Sequence, residues 1–87
     1  MSLEDEIKIK KIIARQQGIE MDMIKGESYL INDLGMDSLD ATELMMEIEE
    51  KYRISIKDTD ASKMKTVGDV IKYVEEHGDG KNYPKEA

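Results

Sequence analysis

Eighty-seven residues make one small domain with no room for a second core. Hydrophobic residues form 39% of the chain and charged residues 38%, with no Trp, no Phe and no Cys; that supports a lean globular core and excludes disulfides and thiolate metal sites. The net charge of −7 opposes nucleic acid and anionic membranes as partners, and the longest uninterrupted apolar run, three residues, is too short to span a bilayer.

Four helical segments are expected, in chain order. The first begins near Ser2, whose spacing to Asp5 resembles a capping box, carries Leu3, Ile7, Ile12 and Ile13, and ends at Gln17 with Gly18 as its stop. A connection from Gly18 to Asp37 follows. Its apolar residues (Ile19, Met21, Met23, Ile24, Tyr29, Leu30, Ile31, Leu34) are too many for a slack linker, so it should pack on the helices. The second helix starts at Asp37 or Ser38 and places Leu44, Met45, Ile48 and Tyr52 on one face. A loop with Ile54 and Ile56 leads to a short helical turn over Asp58 to Met64, with Asp58 as its N-cap. In the last helix Thr66 and Asp69 form the cap, Val67, Val70, Ile71 and Val74 the apolar face, and Gly78 the stop. The expected domain is 1–78, followed by a polar, disordered tail over 79–87 that contains Pro84. The fold class is all-α, three longer helices plus one short one around a small aliphatic core, with a long first loop.

Charge is concentrated where it can matter. Asp33 to Asp60 holds nine acids against three bases, −6 of the total −7. Ser38 sits in that acidic stretch, directly after the turn Leu34-Gly35-Met36-Asp37. A serine at a helix start is commonly a plain N-cap. Here Asp37 can cap one residue earlier, which frees the Ser38 hydroxyl, and Gly35 permits the sharp turn that exposes it. No base lies near it in sequence, and the single histidine, His77, belongs to the end of the last helix, where the helix dipole favours it. A displayed but unactivated hydroxyl suits modification better than catalysis. A phosphodiester on it would lie beside the unpaired N–H groups of the first helical turn, where a negative charge is favoured. Asp37 and Asp40 work against this by repulsion, so the site should bind free phosphate poorly, and a covalent anchor needs no such affinity.

The motif Asp33-Leu34-Gly35-x-Asp37-Ser38-Leu39-Asp40, followed by Glu43-Leu44-x-Met46-x-x-Glu49-Glu50, closely resembles the attachment site of free-standing bacterial-type acyl carrier proteins, and the likeness runs from about residue 3 to 77. The resemblance implies a four-helix acyl-carrier-like bundle that is not an enzyme. Ser38 would carry 4′-phosphopantetheine taken from coenzyme A by a phosphopantetheinyl transferase, with Asp37 and Leu39 beside it. The arm's thiol would hold acyl intermediates as thioesters, which answers the missing cysteine. The implied pathway is fatty acid biosynthesis, or a polyketide or other specialised route. Asp37, Leu39, Asp40, Glu43, Met46, Glu49 and Glu50 would meet basic docking patches on synthesis enzymes; Leu39 and Met46 could equally face the core. Leu44, Met45, Ile56, Met64 and Ile71 would line the acyl pocket while also serving as core. A cytoplasmic monomer with no metal and no membrane insertion is expected, and the acidic start Met1-Ser2-Leu3-Glu4-Asp5-Glu6 lacks the pattern of a signal peptide.

The chain departs from the resemblance at Lys51 and Arg53, which flank Tyr52 where acids are usual, and at Leu30, Thr42 and Lys57. Three other readings compete. An unmodified acidic helical interaction module would use Ser38 only as a cap. An EF-hand opening at Asp58-x-Asp60-x-Ser62 fails because Lys63 stands where glycine is needed and Asp69 where a bidentate glutamate is needed. A Ser38 hydrolase lacks a placed base and a nucleophile elbow.

Overall fold

The computed structural model describes residues 3–77; the cap expected of Ser2, the stop at Gly78 and the tail from 79 to 87 lie outside the described residues. Four α-helices follow in chain order: α1 (Leu3–Gln17), α2 (Ser38–Tyr52), α3 (Asp58–Ala61) and α4 (Val67–His77), with one 3-10 turn at Met21–Met23. The only β pairing among the described residues is an isolated bridge between Tyr29 and Thr66. The class is all-α, as expected.

Helix α1 packs against both α2 and α4. Its buried stripe is Asp5, Ile9, Ile12 and Ile13, whereas Leu3 and Ile7, expected among its core residues, are 70% and 42% exposed. The correction follows from helical phase. Two positions separate Ile7 from Ile9, a rotation of about 200°, so one faces solvent when the other faces the core. Gly18 ends the helix at φ 69, the left-handed stop anticipated there. Asp5 is turned inward, 3% exposed, and accepts a hydrogen bond from the Tyr52 hydroxyl at 3.0 Å. That bond fastens the start of α1 to the end of α2. Tyr52→Phe removes one donor from a buried carboxyl group and is expected to cost about 1–3 kcal/mol, read as a lower urea midpoint at an unchanged slope.

The connection after α1 is packed, not slack. Ile24, Leu30, Leu34 and Met36 are buried in the core; Met36 was not among the apolar residues expected to pack there. Backbone bonds stitch this segment to the start of α4: Val67 N–H donates to Ser28 O, Gly68 N–H to Gly26 O and Leu30 N–H to Lys65 O. Gly68 suits this approach, because a Cβ there would lie 3.0 Å from the Gly26 carbonyl oxygen and force the backbone to give by a few tenths of an ångström.

Helix α4 buries Val67, Val70, Ile71 and Val74 as its spacing predicts. Its cap is reciprocal: Asp69 N–H donates to Thr66 Oγ1 at 3.1 Å, and the Asp69 carboxylate accepts from the N–H groups of Thr66 and Lys65. Partial burial pushes the Asp69 carboxyl up, but those hydrogen bonds outweigh it and hold the carboxyl below its ordinary value of 3.8. The folded value is the lower one, so the stability this group adds is present above 3.8 and is lost as pH falls through the folded value. Asp69→Asn should therefore flatten the dependence of the urea midpoint on pH in that acid range. An unchanged pH profile would count against the cap as its source.

Helix α3 is shorter than expected. Its helical span stops at Ala61, and Lys57, not Asp58, occupies the N-cap position without a side-chain bond. Asp58 is already the first helical residue there. Beyond Ala61 the chain continues as tight turns, with Lys63 N–H donating to Asp60 O and Met64 N–H to Ala61 O.

Candidate functional site

The turn before α2 is wound by its own hydrogen bonds. Asp33 and Leu34 N–H groups donate to Tyr29 O, Gly35 N–H to Ile31 O and Met36 N–H to Leu30 O, while the Asp33 carboxylate accepts from Tyr29 N–H at 2.8 Å. Gly35 adopts φ 73, a left-handed conformation that costs glycine little and that strains other residues. Two glutamines at the end of α1 pin this turn from the other side. Gln17 Nε2 donates to Leu34 O at 3.2 Å, and Gln16 Nε2 to Asp40 O at 2.7 Å. Sequence reading gave neither glutamine a role.

Asp37 is the N-cap of α2, and the box is complete. The Asp37 side chain accepts from Asp40 N–H at 2.9 Å, and the Asp40 side chain accepts from Asp37 N–H at 3.2 Å. Ser38 is thereby the first helical residue, not the cap. It is exposed, and its hydroxyl takes no part in the cap. Leu39 beside it is 65% exposed, which settles its position in favour of solvent over core. Among the described residues no group of three or more His, Cys, Asp or Glu could hold a metal ion.

The chain matches the family described as "Phosphopantetheine attachment site" over residues 8–74. It is 51% identical over 77 residues to the acyl carrier protein of Chlamydia trachomatis serovar L2, covering 88% of this chain and 97% of that one. Similar values hold for the acyl carrier protein of Chlamydia muridarum (50% over 76 residues, 87% and 96% covered). The acyl carrier protein of Bdellovibrio bacteriovorus is 49% identical over 71 residues, 82% and 91% covered. This chain belongs to the acyl carrier proteins. Acyl carriers hold their cargo as a thioester on covalently attached 4′-phosphopantetheine, so the cofactor and the carrier function expected from the sequence follow from membership, as does exchange with synthesis enzymes and a transferase. The residues fit that group: a carrier needs a hydroxyl that is exposed, unused and fixed in place, and the α2 start provides one.

Along α2 the expected docking residues separate by what else they do. Glu43, Met46 and Glu50 are exposed, Met46 at 59%. They line an open groove with Glu47 and Glu49. Asp37 and Asp40 hold the capping box, and Glu49 Oε2 accepts from Ile56 N–H at 2.7 Å, bracing the loop after the helix. Glu47, absent from the expected set, pairs with Arg15 of α1.

A cleft of about 470 Å³ opens between the 29–32 segment, Ala41 of α2 and the end of α3 at Ala61 and Ser62, floored by Leu30 and Met64. Ala41 lies one helical turn from Ser38. Of the five side chains expected around a cargo, Met64 alone lines this cleft. Leu44 and Ile71 are fully buried and Met45 nearly so, in the core, and Ile56 packs at the core's edge. The reason is axial. Ala41, Leu44, Met45 and Ile48 share one face of α2, but the cleft opens at the N-terminal end of that face, beside Ala41, a residue too small to stand out in an apolar pattern. The α3 wall is tied to α4 by the Tyr73 hydroxyl, which donates to the Asp60 carboxylate at 3.0 Å. Burial first, and then that carboxylate, raise the Tyr73 phenol above its ordinary value. His77, half-buried at the end of α4, stacks on Tyr73 with ring centroids 4.0 Å apart.

Proposed function

We propose that Ser38 is the residue that bears 4′-phosphopantetheine and that the protein carries acyl intermediates of fatty acid biosynthesis, itself catalysing nothing. The carrying observation is the division of labour at the helix start: Asp37 and Asp40 complete the cap, and the Ser38 hydroxyl stays exposed beside them. On loading, a bond forms between Ser38 Oγ and the phosphorus nearer the pantetheine of coenzyme A, the pyrophosphate bond breaks, adenosine 3′,5′-bisphosphate leaves and the serine proton passes to the transferase. The group then supplies a thiol for thioester exchange. This chain's part is positional. The pinned turn presents the phosphodiester at the N-terminus of α2, where the helix dipole offsets its charge, and the acidic groove with Met46 at its centre gives enzymes with basic patches a place to dock.

The cleft that starts at Ala41 is the shelter for the acyl chain, with Leu30 and Met64 as its apolar floor; methionine adapts to a cargo that comes and goes. A monomer in the cytoplasm fits this work, and among the described residues no helix is long and apolar enough to cross a membrane. The reading is tested by incubating the protein with coenzyme A, magnesium and a broad-specificity phosphopantetheinyl transferase and measuring the intact mass. One added phosphopantetheine that maps to the Ser38 peptide supports it. No gain on folded protein leaves an unmodified acidic interaction module as the better account.

A further inference from the structure

The acidic face of α2 is bordered, toward α1, by a surface of opposite sign. A groove of about 540 Å³ runs between α1 and the C-terminal end of α2, lined by Lys8, Lys11, Ile12, Arg15 and Lys51, with no acid among its walls. Lys8, Lys11 and Arg15 follow one another at spacings of three and four, so they share one face of α1. Lys51 completes the cluster from α2, two positions before Arg53, which takes the left-handed C-cap. Two of these cations are partly neutralised: Lys8 pairs with Glu4 at 3.4 Å and its amine lies 5.9 Å from the Tyr52 ring centre, and Arg15 pairs with Glu47. Lys11 and Lys51 are exposed and have no ion pair among the described residues. In a chain of net charge −7, this is a concave cationic surface bordering, through Glu47, the acidic groove of Glu43, Met46 and Glu50.

We infer that this groove receives acidic side chains of a partner enzyme, so that the protein selects partners whose basic docking patch is bordered by carboxylates. The inference rests on the carrier reading only for the statement that the partner is an enzyme. Its physical ground is charge complementarity along one helix. A surface that engages α2 from Ser38 to Lys51 spans fourteen residues, about 20 Å, and meets the acidic groove along the helix and the cationic groove on the α1 side of its C-terminal end. A uniformly basic partner would set its own cations against Lys11 and Lys51, and juxtaposed like charges weigh against a complex. A partner with acids at that end gains at both ends. A second copy of this chain could offer acids too, but the shared net charge of −7 opposes self-association.

The test is amide chemical-shift titration of the full-length, isotope-labelled chain at low salt with two defined probes, hexaglutamate and hexalysine. Hexaglutamate should shift Lys8, Lys11, Arg15 and Lys51, and hexalysine should shift Asp40, Glu43 and Glu50. The double variant Lys11→Glu/Lys51→Glu should weaken hexaglutamate binding by about tenfold or more while the hexalysine shifts persist. Lys11→Ala/Lys51→Ala should give a smaller loss of the same kind if the charge reversal unfolds the chain. Salt at about 0.5 M, where screening acts over about 4 Å, should suppress both sets of shifts. Absence of hexaglutamate shifts would overturn the inference. So would the same shifts from inorganic phosphate at equal charge, which mark a simple anion site, or a concentration-dependent dimer lost in the variant, which makes the occupant a second copy. Loading of Ser38 is measured separately by mass, so failure of the carrier reading and failure of the groove are told apart.

Discussion

Ser38→Ala is expected to lose phosphopantetheine loading completely while its unfolding free energy in urea stays within about 0.5 kcal/mol of wild type. The separation is expected because the hydroxyl has no structural work: Asp37 is the N-cap, and alanine is a better helix residue than serine at an exposed position. Asp37→Ala is the complementary variant. It keeps the hydroxyl and breaks the capping box, with an expected cost of about 1 kcal/mol and loading that is slowed, not abolished, as the Ser38 turn loosens. Intact mass after transferase treatment and urea unfolding of both variants give the four values needed. A mass gain on Ser38→Ala would move the attachment to another hydroxyl and sink the assignment. A large stability loss in the same variant would make Ser38 the cap that the simplest sequence reading took it to be.

The legible parts of this chain were those that repeat with a period or cap a helix. The α4 stripe of Val67, Val70, Ile71 and Val74, the Thr66–Asp69 cap and the α2 face all appear where the spacing puts them. The opaque parts are those in which one residue's role depends on a distant one. Asp5 reads as a first-turn acid, yet its burial depends on Tyr52, 47 residues away. Gln16 and Gln17 read as a polar helix end until the chain returns to place Leu34 and Asp40 within their reach. The cleft is opaque for a related reason: it is the space left beside Ala41 and Ala61, residues too small to stand out in an apolar pattern, whereas Leu44, Met45 and Ile71 fill the core. In α1, four isoleucines and a leucine were compatible with more than one helical phase, and contact with α2 and α4 selected the one containing Ile9.

The second large effect divides one helix by function. Leu44 has no exposed surface and Met46, two residues on, is 59% exposed; a rotation of about 200° separates them. Leu44→Ala deletes buried methyl groups from a core of sixteen side chains among the described residues and is expected to cost about 2–5 kcal/mol. Small domains hold only about 5–10 kcal/mol in all, so this variant should be substantially unfolded in mild urea, and its loading should fail together with its fold. Met46→Ala should unfold within about 0.5 kcal/mol of wild type yet lower kcat/KM for a carrier-dependent enzyme roughly tenfold, the loss typical of an apolar anchor ringed by charge. The pair distinguishes docking from folding on opposite faces of one turn of α2. If Met46→Ala is destabilised as strongly as Leu44→Ala, Met46 belongs to the core and the acidic groove loses its apolar centre. If instead both stability and kcat/KM are unchanged, docking rests on the carboxylates alone, and its rate should then fall steeply with salt.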